Sequence, residues 1–319
     1  MINKVVWREG LFLRPQHFQQ NDRHYDYEMR TRTLESGANR WGLFDLDIDT
    51  PFLESGKLVL NRAYGIMPDG TLFDIHAKHQ ELILDLESKD SGKMIYLALP
   101  LCMQYADDLT FEEDDVKTTR MIARRERDVP NTNIGETSNA ELLLAQPNFR
   151  LLRDEELNEG YGTVAIARIG SISASGAVSL EETFTPTYLH FHRCHYLVAH
   201  IKELMSVLNF RMLKLSEKLS DVTIQVAELG DYLLLQLLNR FHSRFHFYLS
   251  QEKIHPETLF LEMYSLAAEL AVFMKKERRL DKEYLYDHKK QKESFTLLFN
   301  EIKIIDRKST RLNSSHVSE

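Results

Sequence analysis

The chain has 319 residues, of which 43% are hydrophobic and 28% charged, and its formal net charge at pH 7 is -8. This length suits two domains that can each bury a core. An acidic chain lacks the basic surface that neutralises phosphates, so we expect no nucleic-acid binding. Its two cysteines form no disulfide framework, and neither a signal peptide nor an apolar run of roughly 20 residues is present, so we expect a cytoplasmic protein without membrane insertion.

The first predicted element is a helix over about 15–36. Pro15 suits the first turn of a helix, and neither Gly nor Pro follows before Gly37. Phe18, Tyr25 and Met29 share one face, while the other positions are largely polar. We therefore expect this helix to lie on a surface rather than in a core.

Short alternating segments follow as far as Pro186. The turn Pro68-Asp69-Gly70 predicts a hairpin between 63–67 and 71–75. Alternation predicts further strands at 41–48, 57–61, 81–86, 94–99, 118–123, 142–146 and 161–169, with solvated loops at 107–115 and 130–139. Many short strands at this spacing are typical of a β-sandwich or barrel.

Beyond Pro186 the pattern is helical. Apolar residues recur every three or four positions from Leu197 to Leu219, and the same spacing predicts helices over 229–249, from Pro256 and over 293–305. The stripe predicted for the second helix, over 229–249, is Leu229, Leu233, Leu237, Phe241 and Phe245. Asp221 is a candidate cap for the second helix. That helix is apolar on several sides, which predicts a bundle covered by other helices or subunits. The residues expected to pack the bundle and the subunits are Leu204, Leu208, Leu237 and Phe241.

One histidine cluster raises a metal-dependent alternative. His190, His192 and His195 are spaced like the ligands of a binuclear metallohydrolase, with Cys194 in place of the carboxylate. The segment leads into a predicted helix, where successive side chains point in different directions, and no second ligand set follows. We predict a polar helix start, no cofactor and no catalysis, and keep a metal-dependent hydrolase as the alternative.

The segment from Trp7 to Gln20 concentrates aromatic residues near the chain terminus. Terminal segments fray unless they are docked. Aromatic residues and arginine are also enriched among interface anchors. The residues alone leave two hypotheses equally open, a strand packed on its own domain and an edge that binds a partner.

This segment resembles the N-terminal signature of the TssK family, baseplate subunits of the bacterial type VI secretion system. The residues that carry the resemblance are Val6-Trp7, Glu9-Gly10, Leu13, Pro15-Gln16-His17-Phe18-Gln19, Arg62-Ala63, Gly65, Pro68-Asp69-Gly70-Thr71, Phe73-Asp74, Ala98-Leu99-Pro100 and Ala165-Ile166-Ala167-Arg168-Ile169. The family's Phe-x-Pro-Pro junction corresponds to Thr183–Pro186, although Thr187 stands where a second Pro is usual. The resemblance extends over 1–305.

The resemblance implies an α+β homotrimer with an N-terminal β-sandwich-like shoulder domain (1–186) and a helical-bundle neck (187–305). It implies a structural adaptor whose shoulder docks on the baseplate proteins TssF and TssG. The expected docking region, as contact or as its support, is Trp7, Phe12, Arg14, Gln16, His17 and Phe18. Because the shoulder is related in fold to phage receptor-binding proteins, a phage-like receptor-binding module is a further alternative.

The resemblance places a head domain after Ile305, where TssK proteins contact TssL and TssM of the membrane complex. Residues 306–319 instead lack apolar periodicity, and the string from Asp306 to His316 resembles the translation of a sequencing adapter. We therefore expect a non-native, disordered tail over 306–319, and contact with TssL and TssM only through the missing head.

Overall fold

The computed structural model describes residues 2–103, 107–111, 119–133, 138–219 and 229–315, with side chains as far as residue 304. The chain divides into two compact units, Met1–Pro186 and Thr187–Glu319. Strands dominate the first unit and helices the second, which confirms the mixed α and β composition. Among the described helices, none is both long and apolar enough to cross a membrane.

The first unit begins with helix α1 (Pro15–Glu35), and a short helix α2 (Thr50–Leu53) follows the first strand. One sheet contains β1 (Gly42–Ile48), β2 (Lys57–Ile66), β3 (Leu72–His76) and β4 (Ile83–Asp85), and β2 pairs antiparallel with each of the other three. A second antiparallel sheet has the spatial order β11 (Val178–Leu180), β10 (Tyr161–Ile172), β5 (Met94–Pro100) and β9 (Arg150–Arg153). The third sheet contains β6 (Leu109–Phe111), β7 (Met121–Pro130) and β8 (Asn139–Pro147).

The core of the first unit follows the two-residue period of its strands. In β5, Ile95, Leu97 and Leu99 are buried on one face, and Ala98 is buried on the other. A central strand covered on both faces reads as a continuous apolar run, and Met94–Pro100 is such a run. The sandwich-like stacking of the sheets stays a prediction.

Several strand boundaries differ from the predicted ones. β2 is continuous, whereas the sequence predicted strands at 57–61 and 63–67. Arg62 remains in the strand because its guanidinium pairs with Asp45 and Asp74 of the two neighbouring strands. β7 extends beyond the predicted end at 123 because its pairing with β8 continues through Glu126 and resumes at Val129.

The loop predicted at 107–115 is in part a strand. Thr110 is buried, and β6 pairs in parallel with β7. Residues 112–115 of that loop, and 134–137 of the loop predicted at 130–139, lie outside the described residues. The short strands β9 and β11 have no counterpart in the sequence prediction, because three or four residues carry too little alternation to register.

The second unit contains α3 (His195–Leu219), α4 (Leu229–Ser250), α5 (Pro256–Met274) and α6 (Gln291–Ser315). Its core is formed by buried side chains from all four helices, among them Leu197, Leu204, Leu208, Leu237, Phe241, Phe245, Leu259, Met263, Leu266, Phe295 and Phe299. The predicted stripe of α4 is wrong at its start. Leu229 and Leu233 are exposed, whereas Leu234 and Leu238 are buried. Asp221, the candidate cap, lies outside the described residues.

The last helix continues beyond its predicted end. The sequence places a helix end at Ile305 and a disordered tail over 306–319, but the backbone of α6 is helical through Ser315. Residues 306–315 contain neither Gly nor Pro, so nothing in their backbone stops a helix that is already formed. Residues 316–319 lie outside the described part of the chain.

Candidate partner-docking surface

Helix α1 is fixed to the first sheet by the β2–β3 turn. Gly70 adopts a φ of +84°, and a Cβ built on it would lie 2.7 Å from the carbonyl oxygen of Arg30 in α1. The adjacent Asp69 lies 2.8 Å from the guanidinium of Arg120 and 3.5 Å from that of Arg30. Burial acts to raise the pKa of Asp69, but Arg120 and hydrogen bonds from Thr71 outweigh it and lower the pKa. The turn therefore holds a charged carboxylate against the helix.

An extended segment, residues 2–14, which we call the strap, runs antiparallel along α1. The Ile2 carbonyl oxygen lies 2.8 Å from Nδ1 of His24, and the Asn3 carbonyl accepts a hydrogen bond of 2.7 Å from Gln20. Nearer the start of α1, the Trp7 ring lies 6.3 Å from that of Phe18. The chain reverses where the Leu11 N–H donates to the Arg8 carbonyl at 3.3 Å and Gly10 takes a φ of +72°.

The start of α1 uses His17 as a capping group. The backbone N–H of Arg14 donates to Nδ1 of His17 at 3.0 Å, and the backbone N–H of His17 donates to the Arg14 carbonyl at 2.9 Å. This reciprocal arrangement satisfies amide groups that a helix N-terminus leaves unpaired. Pro15, which has no N–H, follows at the first helical position. His17 thus supports the start of α1, while Arg14 and Gln16 are exposed beside it.

The strap and α1 together expose a group of large apolar side chains, which we call the docking surface. Phe12 is 80% exposed and Trp7 51% exposed. No described residue of α1 is buried, so the surface position predicted for this helix is confirmed. The complete set of exposed large apolar residues is Val6, Trp7, Phe12, Leu13, Phe18, Tyr25 and Met29.

Four members of the docking surface were not among the predicted docking residues. Val6 and Leu13 flank the predicted aromatics in the strap, and Tyr25 and Met29 lie on the helix face of Phe18. The helical spacing of Phe18, Tyr25 and Met29 was visible in the sequence. The course of the strap along α1, which adds Val6 and Leu13 to the surface, was not. Contiguous exposed apolar residues of this kind mark protein interaction sites.

The three histidines of the cluster have different surroundings. His195 begins α3 and is exposed, and Nε2 of His192 lies 3.3 Å from the Leu249 carbonyl oxygen. Burial lowers the pKa of His190, and the positive charge of Lys253 lowers it further. Within the described ranges, no three His, Cys, Asp or Glu side chains are grouped so that they could hold a metal ion. Among the described residues, His190, His192 and His195 do not form such a group.

The four residues predicted to pack the bundle and the subunits lie inside the second unit. Leu204, Leu208, Leu237 and Phe241 are all buried in its core. Other apolar residues of the same helices are exposed, namely Phe210, Leu213, Tyr232 and Leu233. Only exposed side chains can meet a second molecule without rearrangement, so these are better candidates for subunit contacts.

Comparison with known proteins relates both units to one family. The family described as "Bacterial Type VI secretion, VC_A0110, EvfL, ImpJ, VasE" matches residues 17–305. The type VI secretion system baseplate component TssK1 of Pseudomonas aeruginosa is 33% identical over 290 residues, which are 90% of this chain and 65% of the relative. The chain thus spans about two thirds of the length of that relative.

Solved structures agree on the fold. A crystal structure of TssK superposes with a TM-score of 0.89 at 30% identity, covering 96% of this chain and 69% of the other. The structure of a TssK–TssF–TssG baseplate subcomplex has a TM-score of 0.80 at 24% identity, covering 96% and 100% of the two chains, and supports the fold alone. Because the family match extends from residue 17 to residue 305, the chain belongs to the TssK family of bacterial type VI secretion proteins.

Proposed function

We propose that this protein is a structural component of the type VI secretion baseplate and that its first unit docks on TssF and TssG. The similar TssK1 is a baseplate component, and a structure with the same fold is that of a TssK–TssF–TssG subcomplex. Family membership supports a role in the type VI secretion system, and the exposed docking surface supports attachment through the first unit. The proposal involves no reaction and no cofactor.

The observation that carries the proposal is the exposure of a structured aromatic surface. Trp7, Phe12 and Phe18 are each more than half exposed although the strap is tied to α1 by hydrogen bonds. Exposing apolar side chains to water is unfavourable by about 25 cal/mol per Å². A preformed surface also avoids part of the ordering cost of binding. Aromatic anchors on a rigid element are what a stable interface requires.

We further propose that the first unit is the shoulder and the second unit the neck of a cytoplasmic homotrimer. The exposed Phe210 and Leu213 of α3 and Tyr232 and Leu233 of α4 offer apolar contacts between copies. Both cysteines are free thiols, in keeping with a reducing compartment. Light scattering at micromolar concentration should give the mass of three chains, and a monomer would contradict this assignment.

Binding of TssF–TssG to immobilised protein tests the docking proposal. The double variant Trp7→Ala/Phe12→Ala removes the two aromatic residues of the strap, and we expect a loss of affinity of about tenfold or more. The matched control is Phe52→Ala, because Phe52 is an exposed phenylalanine of the first unit that lies outside the docking surface. Equal affinity for the wild type and the double variant would refute the docking surface, and no binding by the wild type would refute the function.

A further inference from the structure

The hairpin of β7 and β8 forms a ribbon that is exposed on both faces. Every residue from Asn139 to Ala145 of β8 is exposed, and so is every residue from Arg124 to Asp128 of β7. We call these two stretches the arm. The arm carries three consecutive exposed leucines, Leu142, Leu143 and Leu144. A two-stranded ribbon is at best marginally stable in water, so a free arm with this composition is unfavourable.

Apart from the charge of Glu141, the outer edge of the arm lacks the devices that usually prevent strand pairing. Among the strands that the structure describes, β8 pairs with β7 alone, so its other edge presents N–H and C=O groups. Residues 141–145 contain no Lys and no Pro. The irregularity in the hairpin lies on the β7 side, between Glu126 and Val129, and leaves β8 regular.

The leucines are divided between the two faces of the ribbon. Leu142 and Leu144 point to one face because side chains alternate along a strand. Leu143 points to the other face, where it lies opposite Arg125, whose guanidinium pairs with Glu141 at 2.8 Å. A partner laid on one face would leave leucine exposed on the other. A strand added at the edge contacts leucines on both faces at once.

We propose that β8 pairs antiparallel with β8 of a second copy of this chain, centred on Leu143. In this register Leu143 meets its own counterpart, Leu142 meets Leu144, and Glu141 meets Ala145. Centring on Leu142 would place Glu141 opposite Leu143, and centring on Leu144 would place Leu142 opposite Gln146. Only the register centred on Leu143 matches every leucine with a leucine and leaves no like charges opposite each other.

This contact is separate from docking through α1 and does not depend on it. It joins two three-stranded sheets into one continuous six-stranded sheet across a two-fold axis, with β8 of each copy at the centre. The contact is isologous, so it pairs copies without forming an open chain. If the neck holds three chains together, the arms then connect one trimer to the next.

Disulfide trapping tests the register. In the Cys102→Ser background, which removes the exposed native thiol, Leu143→Cys places two thiols directly opposite each other. Opposed Cα atoms in an antiparallel pair are about 4.5–5.5 Å apart, within the range that a disulfide bridges. Mild oxidation with copper phenanthroline should give a covalent dimer on a non-reducing gel. Leu142→Cys is the matched control, because its thiol faces Leu144 of the other copy, and it should cross-link at least about tenfold more slowly.

The outcomes separate the possible occupants of the arm. Selective cross-linking of Leu143→Cys supports the proposal, and its loss on adding Leu144→Lys supports it further. Equal cross-linking of Leu143→Cys and Leu142→Cys, or none in either, overturns it. Protection of the Leu143→Cys thiol from maleimide by TssF–TssG, with no protection in the chain alone, would assign the arm to a different protein and also overturn it.

Discussion

Asp90 carries a negative charge in the interior of the first unit. Its carboxylate receives hydrogen bonds from Arg153 at 2.9 and 3.1 Å, from Lys93 at 3.1 Å and from the backbone N–H of Glu87 at 2.9 Å. Burial acts to raise the pKa of Asp90, but these hydrogen bonds and the charge of Arg153 prevail and lower it to about 2. The residue ties the turn before β5 to β9.

Replacing this carboxylate should destabilise the first unit. Asp90→Asn leaves two partly buried cations, Lys93 and Arg153, with a neutral neighbour, and we expect the free energy of unfolding to fall by about 2–3 kcal/mol at neutral pH. Both tryptophans, Trp7 and Trp41, lie in this unit, so urea unfolding followed by fluorescence reports the change. Asp85→Asn is the control, since that carboxylate is 78% exposed in its pair with Lys57 and should contribute less than about 1 kcal/mol.

The same group predicts how stability depends on pH. The pKa of Asp90 is lower in the folded protein than its usual 3.8. Its contribution is therefore complete above about pH 4 and is lost as the pH falls towards about 2. The difference in stability between wild type and Asp90→Asn should shrink over that interval. A difference that stays constant down to pH 2 would contradict the assignment of the charge to Asp90.

Single residues show what the sequence could and could not predict. The concentration of aromatic residues near the terminus, among them Trp7 and Phe18, was evident from the sequence. The polar character of the histidine segment was evident as well. The capping role of His17 was not, because it depends on the geometry between its imidazole and the Arg14 amide. The ion-pair network of Asp90 and Arg153 joins residues 63 positions apart, and charge patterns along a sequence do not reveal such pairs.

At the scale of elements, Gly70 controls how α1 lies on the turn that follows β2. A methyl group added at Gly70 would contact a backbone oxygen of α1. The substituted residue would also have to adopt a φ of +84°, which is unfavourable for a residue with a Cβ. Gly92→Ala is a matched control, because Gly92 has a φ of +80° but open space around it. We expect Gly92→Ala to cost about 1 kcal/mol in unfolding free energy and Gly70→Ala at least about 1 kcal/mol more. Equal costs in urea unfolding would mean that α1 does not pack against this turn.

Helix α4 offers a matched pair of phenylalanines. Phe241 is fully buried in the core of the second unit, while Phe247 on the same helix is 55% exposed. Phe241→Ala should lower the free energy of unfolding by about 3–5 kcal/mol, because the variant no longer buries the apolar ring and leaves a cavity in its place. Phe247→Ala should change it by less than about 1 kcal/mol. Far-ultraviolet circular dichroism during urea unfolding measures both, and similar costs would contradict the burial pattern of the bundle.

Helices were easier to predict than strands. The stripe from Leu197 to Leu208 matches buried residues of α3, because a long period-3.6 pattern averages over local noise. In α4, leucine is so frequent that the stripe was assigned to Leu229 and Leu233, which are exposed. In the first unit, pairing between strands decides where β2 and β7 end, and that information lies in the partner strand rather than in the segment itself.

At the scale of the whole molecule, the sequence indicated a β-rich half followed by a helical half. Its motifs also indicated the TssK family. The change from alternating to helical pattern at Pro186 is local information, so the sequence carried it directly. The course of the strap along α1 was not predictable, since it depends on contacts such as those of Ile2 with His24 and Asn3 with Gln20. Exposure of the docking surface follows from that course.

Hydrogen–deuterium exchange of the protein with and without TssF–TssG tests the central claim, that the strap and α1 form the docking site. Binding should cover the exposed side chains from Val6 to Met29, so amides in residues 2–29 should exchange more slowly in the complex. The helices of the second unit provide the internal comparison and should be unchanged. Slower exchange confined to the second unit, with residues 2–29 unaffected in a formed complex, would contradict the account.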